Sequence, residues 1–548
     1  MLKEKLVVTF DDGREIVVPY GTKAIDAIKM VEDDTDDILA VVVNNEVKFQ
    51  EFELKRDSQI GFVKIDSDDG YRVYSKSLKF VLYMALTELY GNKKVDFLST
   101  INRNQYFVVN DLELTEDVIA KLKEKMAEII DADYPITKEA MSVDEAIEYY
   151  KLSNDTDKIN NMANRLKSYT NMYFCNGYYN NFYGVLVPHT GLLDVFDLIS
   201  FRNGAMLVMK DKDGNLSEVK DSNLIDIVEL FGGLKNIVNI SNIGDLNEKI
   251  LNNDILDTIQ MTEAIHQATI MEIVKKMREK ESLKLILIAG PSSSGKTTFA
   301  QKLGTYLKIG GYNPITISMD NYFKEREDTP KGKDGKYNFE VIDALDINLF
   351  NDQMNALIKG ETVEIPEFDF IEGHKHYNGK FLTLKGNDIL VVEGIHALNP
   401  ILTEFIAKEN KYKIYIAPIT TLNIDGYTKV SSSDTRFIRR MVRDYATRGH
   451  SVERTFELWQ NVRAGEEEFI YPYLEEADAI VNSSLIYEPA VMKTFAQPLL
   501  LQIEKSSKYY AEARRLYEYL NNFLPMETSN IPIDSLIREF IGNGCFNR

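Results

Sequence analysis

The sequence predicts an α/β protein in which a parallel sheet flanked by helices follows two smaller modules. Strand and helix patterns alternate from residue 282 to about 500, as they do in parallel sheets. Within that region, a glycine-rich stretch, GPSSSGKT, joins a buried strand pattern to a helix pattern. The first 64 residues instead alternate apolar and polar positions around short turns, which is typical of β-hairpins.

Composition and charge narrow the class of protein. The chain has 548 residues and a formal net charge of −21, and at about 100–200 residues per domain it should hold several domains. The negative charge argues against a general nucleic-acid binder, because phosphate repels it. No apolar run approaches the ~18 residues that span a bilayer, and the N-terminus has no signal-peptide pattern. Two cysteines cannot build a disulfide framework or a cysteine-based zinc site, so we expect a cytoplasmic protein.

Five segments follow one another along the chain. Residues 1–64 hold two hairpin patterns, KLVVTFDDGREIVVP and ILAVVVNNEVKF, around one helix pattern. Residues 65–220 combine long helix patterns with strand-like stretches such as GVLVPHTGLLDVFDLISF. Residues 221–281 form a helical connector that we expect to pack on its neighbours, because its apolar positions recur at three and four. The α/β region spans 282–500, and 501–548 form a short helical tail.

The stretch GPSSSGKT fits the phosphate-binding pattern G-x-x-x-x-G-K-[ST] in full, and it lies between a strand and a helix as the motif requires. Glycines let successive N–H groups turn toward phosphate oxygens, and the helix N-terminus adds partial positive charge. Lys296 would reach the β- and γ-phosphates, and the Thr297 hydroxyl would bind Mg²⁺. A serine-glycine loop with a chance lysine is the weaker interpretation in this context. The expected nucleotide-binding residues are Gly290, Ser292, Ser293, Ser294, Gly295, Lys296, Thr297 and Thr298.

Two carboxylates follow neighbouring strand patterns of the α/β region. Asp320 comes after NPITISM, and Glu393 ends NDILVV. Ligands bind at the carboxyl ends of strands in open α/β sheets. Asp320 could accept a hydroxyl proton, help to hold Mg²⁺, or merely cap its strand. Glu393 stands where a carboxylate commonly orients Mg²⁺ or its water.

An arginine-rich helix pattern, SSDTRFIRRMVRDYATRGHS, lies further on. Spacings of four and three place Arg436, Arg440 and Arg443 on one face. Such a cluster commonly marks a solvated face. Beside a phosphate site, however, planar guanidinium donors suit phosphoryl oxygens, so we predict a catalytic lid. Its arginines are Arg436, Arg439, Arg440, Arg443 and Arg448.

Six segments in order resemble the uridine kinase (uridine–cytidine kinase) and phosphoribulokinase family over about residues 283–482. They are GPSSSGKTT, SMDNYFK, YNFEVIDALD, IPEFDFIEGHKH, VVEGIHAL and DTRFIRRMVRDYATRGH. The resemblance implies that Asp320 is the general base for a nucleoside 5′-hydroxyl. It also implies that Thr297 and Glu393, with Asp320 nearby, serve Mg²⁺. The catalytic lid residues would be Arg440, Arg443 and Arg448.

The same resemblance assigns the substrate pocket. Glu340 occupies the place of an aspartate that contacts the ribose hydroxyls. Phe368, Phe370 and His374 belong to the segment that contacts the base. Phe368 stands where the family usually has a tyrosine, and His450 replaces an arginine of the lid. These departures remove polar contacts, so we expect weaker uracil and cytosine selectivity than is usual.

The first 220 residues resemble two other modules. Residues 1–64 are similar to a TGS domain, which has a β-grasp fold, and 65–220 resemble the second additional domain of threonyl-tRNA synthetase. The metal-ligand positions of that domain's editing site align with Lys76, Phe80, Phe182 and Leu186. These residues are poor Zn²⁺ ligands or none, so no zinc is expected. The resemblance therefore implies a scaffold or regulatory module.

The predicted function is the phosphorylation of a nucleoside 5′-hydroxyl with ATP, or GTP, and Mg²⁺. Uridine and cytidine, giving UMP and CMP, are the expected substrates. One alternative is a kinase for another small alcohol or a sugar phosphate. Another is a tRNA-binding or nucleotide-sensing protein, which the front modules suggest and the net charge opposes. We expect a homo-oligomer that does not bind membranes.

Overall fold

The computed structural model describes residues 4–163, 167–221, 225–226, 228–229, 237–331, 335, 337–339, 341–369 and 372–546. Among these residues, no helix is both long enough and apolar enough to cross a membrane.

A five-stranded mixed sheet opens the chain. Its elements are β1 (Lys5–Phe10), β2 (Glu15–Pro19), α1 (Ala24–Lys29), β3 (Ala40–Val43), β4 (Glu46–Lys48) and β5 (Ser58–Val63). The strand order is β2-β1-β5-β3-β4, in which β1 and β5 are parallel and the other pairs antiparallel. Asn44 and Asn45 have φ values of 51° and 60° in the β3–β4 turn, as a two-residue hairpin turn requires. Helix α1 packs its apolar residues into the core of this sheet.

The next region combines helices with a four-stranded and a three-stranded antiparallel sheet. Its first elements are α2 (Asp68–Tyr90), β6 (Val95–Ile101), β7 (Asn104–Val109), α3 (Glu116–Asp131), β8 (Thr137–Ser142) and α4 (Val143–Leu152). They are followed by α5 (Thr156–Ala163), β9 (Tyr169–Cys175), β10 (Tyr178–Asn180), β11 (Phe196–Phe201) and β12 (Gly204–Met209). The four-stranded sheet has the order β11-β12-β7-β6, and the three-stranded sheet has the order β10-β9-β8. Helix α2 is buried along most of its length and packs in the core of this region.

The strand-like stretch at residues 184–201 forms a strand only over Phe196–Phe201. A short 3-10 turn, Thr190–Leu192, interrupts it after Pro188. Proline cannot donate a ladder hydrogen bond, which accounts for the shorter strand.

Two connector helices, α6 (Ile243–Leu251) and α7 (Ile255–Met277), lead into a five-stranded parallel sheet. The first elements there are β13 (Leu285–Ala289), α8 (Lys296–Ile309), β14 (Asn313–Ser318), α9 (Ile347–Ile358), β15 (Val363–Glu364), β16 (Glu367–Asp369) and β17 (His374–His376). Next come β18 (Phe381–Leu382), β19 (Asp388–Glu393), β20 (Lys411–Ala417), β21 (Asn423–Asp425) and β22 (Thr428–Lys429). The last are α10 (Ser432–Arg448), α11 (Val452–Phe469), β23 (Ala479–Asn482), α12 (Glu488–Leu500), α13 (Tyr510–Leu520) and α14 (Arg538–Ile541). The strand order of the parallel sheet is β14-β19-β13-β20-β23.

Helices cover both faces of the parallel sheet, as the sequence predicts. Along β13, Leu285 and Leu287 face the core that contains α9, whereas Ile286 and Ile288 face the core that contains α7 and α8. This alternation is why the strand is a continuous apolar run rather than an amphipathic one. A further core joins α10, α12, α13 and α14 to connector helix α6, so the C-terminal tail is packed.

Candidate phosphoryl-transfer site

The glycine-rich loop connects β13 to α8 and curls tightly. Ser293 and Gly295 have φ values of 60° and 90°, a left-handed conformation that glycine adopts readily. A Cβ on Gly290 would lie 2.1 Å from the carbonyl oxygen of Ile416. The loop therefore approaches the neighbouring strand so closely that only glycine fits there. Helix α8 begins directly after this turn, at Lys296, and its N-terminus points partial positive charge at the loop.

Lys296 folds over this loop. Its Nζ donates to the carbonyl oxygens of Gly290 and Pro291, at 2.9 Å and 3.2 Å. Burial lowers the pKa of Lys296, although Glu393, Glu539 and Asp320 oppose this effect. The ammonium group thus lies near the two carboxylates that the sequence predicts and near Glu539.

The two predicted carboxylates lie at the same edge of the sheet. Ser318 at the end of β14 pairs in register with Glu393 at the end of β19, and Asp320 follows in a short turn. The Thr297 hydroxyl donates to Oε1 of Glu393 at 3.2 Å. Desolvation raises the pKa of Asp320, while Lys296 lowers it. Desolvation likewise raises the pKa of Glu393.

Two of the arginines of α10 are held in buried ion pairs. Arg436 donates to both carboxylate oxygens of Glu466, and Arg439 does the same with Glu488. All four side chains are at most 5% exposed. Glu466 of α11 neutralises the charge of Arg436. Although the sequence predicts Arg436 on the lid face of the helix, its side chain therefore contributes to packing.

The other three arginines converge on Asp444, whose side chain is fully buried. The closest approaches to its carboxylate oxygens are 3.2 Å from Arg440, 3.1 Å from Arg443 and 3.4 Å from Arg448. Arg440 also donates to the Ser292 hydroxyl at 2.8 Å. The structure therefore brings the predicted lid arginines together beside the glycine-rich loop, and one carboxylate orients all three.

Three carboxylates of this site are absent from the sequence prediction. Asp444 follows Arg443 directly, but its burial depends on helix packing. Glu466 accepts from the Ser292 N–H at 3.2 Å. Glu539, in α14 of the tail, accepts from the Thr298 N–H at 3.4 Å. Both accept from amides that such a loop offers to phosphate. No motif marks them, because each reaches the loop through tertiary packing alone.

The α/β region is similar in sequence to known proteins. Residues 285–485 match the sequence model of the family described as Phosphoribulokinase / Uridine kinase. The uridine kinase of Borrelia duttonii (strain Ly) is 32% identical over 234 residues, which cover 42% of this chain and 100% of that protein. The chain belongs to the phosphoribulokinase/uridine kinase family. We call residues 282–546 its kinase half and residues 4–221 its front half.

Further relatives extend the comparison of the kinase half. The uridine kinase of Lactobacillus helveticus (strain DPC 4571) is 31% identical over 207 residues, or 37% of this chain and 89% of that protein. A solved structure from Bacillus stearothermophilus, described as a possible uridine kinase, is 18% identical and superposes with a TM-score of 0.23. It covers 36% of this chain and 89% of its own.

The residues expected to contact the base are only partly described. Phe368 in β16 is buried and packs on Phe323, with 5.7 Å between ring centroids. Nδ1 of His374 lies 2.7 Å from Oε2 of Glu325. Strand β16 packs against the turn that carries Asp320. Glu340 and Phe370 lie outside the described residues.

His450, the remaining predicted substrate contact, lies at the arginine cluster. Its Nδ1 is 3.9 Å from Oδ2 of Asp444. The structure therefore places His450 beside the carboxylate that the lid arginines approach.

The four positions that align with zinc ligands lie together in the front half. Phe80, Phe182 and Leu186 are buried in its core, and the rings of Phe80 and Phe182 are 5.6 Å apart. Lys76 is half-buried, and burial lowers its pKa to about 7. Cys175 is buried as well, which raises its pKa to about 12. Three of the four positions therefore contribute apolar side chains to this core.

Proposed function

We propose that the chain transfers a phosphoryl group from ATP to the 5′-hydroxyl of a nucleoside, with uridine and cytidine as the first candidates. The observation that carries this proposal is the meeting of Thr297, Glu393 and Asp320 at one sheet edge, beside the phosphate-binding loop. Relatives that this chain covers over 89–100% of their length are named uridine kinases. The same geometry would also accept GTP as donor.

The residues present suit a magnesium–nucleotide complex. The curled loop offers backbone N–H groups, and Gly290 lets it lie close against the carbonyl oxygen of Ile416. Thr297 and Glu393 would hold the metal, which neutralises charge on the phosphates when bound.

Asp320 would act as the base. Its carboxylate takes the proton of the 5′-hydroxyl as that oxygen forms its bond to the γ-phosphorus, and the bond to the leaving diphosphate breaks. The raised pKa of Asp320, caused by desolvation, brings the carboxylate closer to the operating pH, which favours general-base catalysis. Lys296, Arg440 and Arg443 would stabilise the charge that spreads over the transferring oxygens.

The pocket for the base supports broadened selectivity. Phe368 offers no hydroxyl and is buried against Phe323, and His374 is engaged by Glu325. A site discriminates strongly only where it hydrogen-bonds a substrate group, by about 10⁴-fold against 10–200-fold for an apolar pocket. We therefore expect several ribonucleosides to be accepted, with uracil and cytosine less favoured than in the family generally.

The front half fits the proposal of two appended modules. A mixed sheet with parallel β1 and β5 and a packed helix α1 supports a TGS-like β-grasp module at residues 1–64. The helices and antiparallel sheets of residues 65–220 support a synthetase-like module. The apolar environment of Phe80 and Phe182 supports the loss of metal chemistry there.

A phosphoryl-transfer panel tests the function. Purified protein with Mg²⁺ and ATP is assayed on uridine, cytidine, adenosine, guanosine, inosine, ribose and ribulose 5-phosphate, with Asp320→Asn protein as the blank. We expect turnover on several ribonucleosides and little on ribose. Activity confined to ribulose 5-phosphate or ribose would overturn the proposal and favour a sugar or sugar-phosphate kinase. Strict use of uridine and cytidine would keep the function but refute the broadened selectivity.

A further inference from the structure

A hairpin of the kinase half is buried in the front half. Strands β21 and β22 with their turn, residues 423–429, form this docking hairpin. Tyr427 at its turn is 6% exposed and belongs to the front-half core. Its ring centroid lies 5.7 Å from that of Tyr83, 6.1 Å from that of Phe97 and 6.3 Å from that of Phe182. The apolar cluster that contains Phe80 and Phe182 thus receives a side chain of the kinase half.

Polar contacts fix the docking hairpin in register. Lys158 Nζ and Asp425 Oδ2 are 2.8 Å apart, and both side chains are at most 3% exposed. Lys79 Nζ donates to the Tyr427 carbonyl oxygen at 3.1 Å. The Phe97 N–H donates to the Gly426 carbonyl oxygen at 3.3 Å.

Gly426 itself admits no side chain. A Cβ there would lie 2.3 Å from the Val95 carbonyl oxygen of β6. The buried ion pair and this close backbone approach together make the docking hairpin a specific contact between the two halves.

The docking hairpin leads directly into the arginine helix α10. Val430 is buried, and Ser431 caps the helix by accepting from the Asp434 N–H at 3.2 Å.

A second set of contacts connects the first turn of α10 to the front half. Arg515 of α13 donates to both oxygens of Asp434, at 2.7 Å and 2.8 Å. Glu512 accepts a hydrogen bond from Arg515. Glu512 also accepts two hydrogen bonds from Arg72 of helix α2, at 2.9 Å and 3.2 Å.

We propose that the front half positions the arginine helix for phosphoryl transfer, with Asp425 and Tyr427 as positioning residues that act through Arg440 and Arg443. This inference rests on the proposed function, since it requires that these arginines act on the transferring group. The first turn of α10 is tied to the front half at two points, and its later turns carry the arginines to the phosphate loop. Loss of a tie lets the helix shift, and a misplacement of about 1 Å can cost 10²-fold in rate.

The central test is the double variant Lys158→Met with Asp425→Asn in the full chain. Removing both charges avoids leaving one buried and unpaired. We expect kcat to fall by about 10–100-fold while KM for ATP and nucleoside stays unchanged, because the arginines act on the transition state. Asp117→Asn is the matched control, since it breaks an exposed ion pair with Lys121 on α3. Thermal unfolding of each variant reports whether it is folded.

A milder substitution covers the case in which the double variant does not fold. Tyr427→Leu keeps an apolar side chain but removes the ring contacts, and it should lower kcat in the same direction. If both kinds of variant are folded and turn over at the wild-type rate, the positioning role is wrong.

Repeating the substitutions in a background with both Arg440→Ala and Arg443→Ala separates positioning from simple stabilisation. Once both arginines are gone, displacing their helix should cost little more, so the effects are non-additive. An equal fold-loss in both backgrounds would overturn the inference while leaving the proposed function intact. Wild-type turnover by the background that lacks both arginines would instead show that their proposed catalytic role is wrong, and the positioning role would fall with it.

Discussion

At the scale of single residues, Asp320 carries the proton in the proposed reaction. Asp320→Asn and Lys296→Ala should each reduce kcat by about 10²–10³-fold, the typical loss when one charge-stabilising contact at a reacting centre is removed. Asp320→Asn should leave ATP affinity near wild type, because the base does not contact the loop amides. Steady-state kinetics and calorimetric titration with Mg²⁺ and ATP measure the two effects. Near-normal turnover by Asp320→Asn would remove Asp320 from the mechanism.

The surroundings of Asp320 predict a pH dependence. Desolvation raises its pKa, and the nearby cations Lys296 and Arg448 lower it. Only the carboxylate form accepts a proton, so activity should rise with pH through this raised value. Arg448→Gln removes one cation, so the pKa rises further and the acid limb of kcat/KM moves to higher pH. Arg448→Lys keeps the charge and should leave the limb in place, and an unmoved limb in Arg448→Gln would contradict the assignment.

Glu539 predicts an effect on nucleotide affinity. Its carboxylate accepts from the Thr298 N–H and lies 3.7 Å from Nη1 of Arg443, so it occupies donors that phosphate needs. Glu539→Gln should tighten ATP binding by about tenfold, since like charges about 4 Å apart cost 1–4 kcal/mol and 1.4 kcal/mol changes Kd tenfold. Glu527→Gln, at an exposed position of the same tail, is the control. Unchanged or weaker binding would show that Glu539 serves only to hold Arg443.

At the scale of elements, the phosphate loop could be predicted from the sequence because its conformation depends on residues that are neighbours in the chain. A strand, a glycine-rich turn and a helix N-terminus satisfy one another through neighbouring backbone groups, so GPSSSGKT specifies its own geometry. Which arginines of α10 are held in buried ion pairs could not be predicted from the sequence. Helical spacing places Arg436 with Arg440, but only the packing of α11 brings Glu466 to neutralise it.

The contacts of the docking hairpin could not be predicted from the local sequence either. The Asp425-Gly426 pair is a turn signal in the sequence. Nothing local, however, indicates that Tyr427 lies in another module's core, or that Asp425 meets a lysine 267 positions away. Such long-range partners follow from the docking of whole modules, which residue patterns within one segment do not encode.

Helix α2 carries a prediction about metal. Lys76 and Phe80 are one turn apart on it, and Phe80 packs on Phe182, so this cluster offers poor ligands for Zn²⁺. After extensive dialysis, elemental analysis should find far less than one zinc per chain. Among the described residues, Asp369, Glu372 and His376 place ligand atoms within 4.8 Å of one another. Stoichiometric zinc that survives His376→Ala would therefore contradict the loss of metal chemistry in the front half.

At the scale of the whole molecule, the two halves contact each other at several separate places. Besides the docking hairpin, Lys167 pairs with Glu518 at 2.7 Å, and Asn45 donates to the Lys505 carbonyl oxygen at 3.0 Å. The aromatic contacts of Tyr427 place part of the kinase half inside the front-half core. Local opening of either half therefore disturbs packing in the other, which predicts energetic coupling between them.

Hydrogen exchange tests this coupling. A ligand that binds only the native state stabilises every segment that unfolds together with its site. Mg²⁺ and ATP should therefore slow exchange not only in the loop and α8 but also in β6, where the Phe97 N–H donates to the docking hairpin. Strands β1 and β2 belong to a separate core and serve as the internal control, with exchange unchanged. The Lys158→Met and Asp425→Asn double variant should lose the protection of β6 while keeping that of α8, because its nucleotide site is intact. Protection confined to the kinase half of the wild-type protein would mean that the two halves, although in contact, open independently.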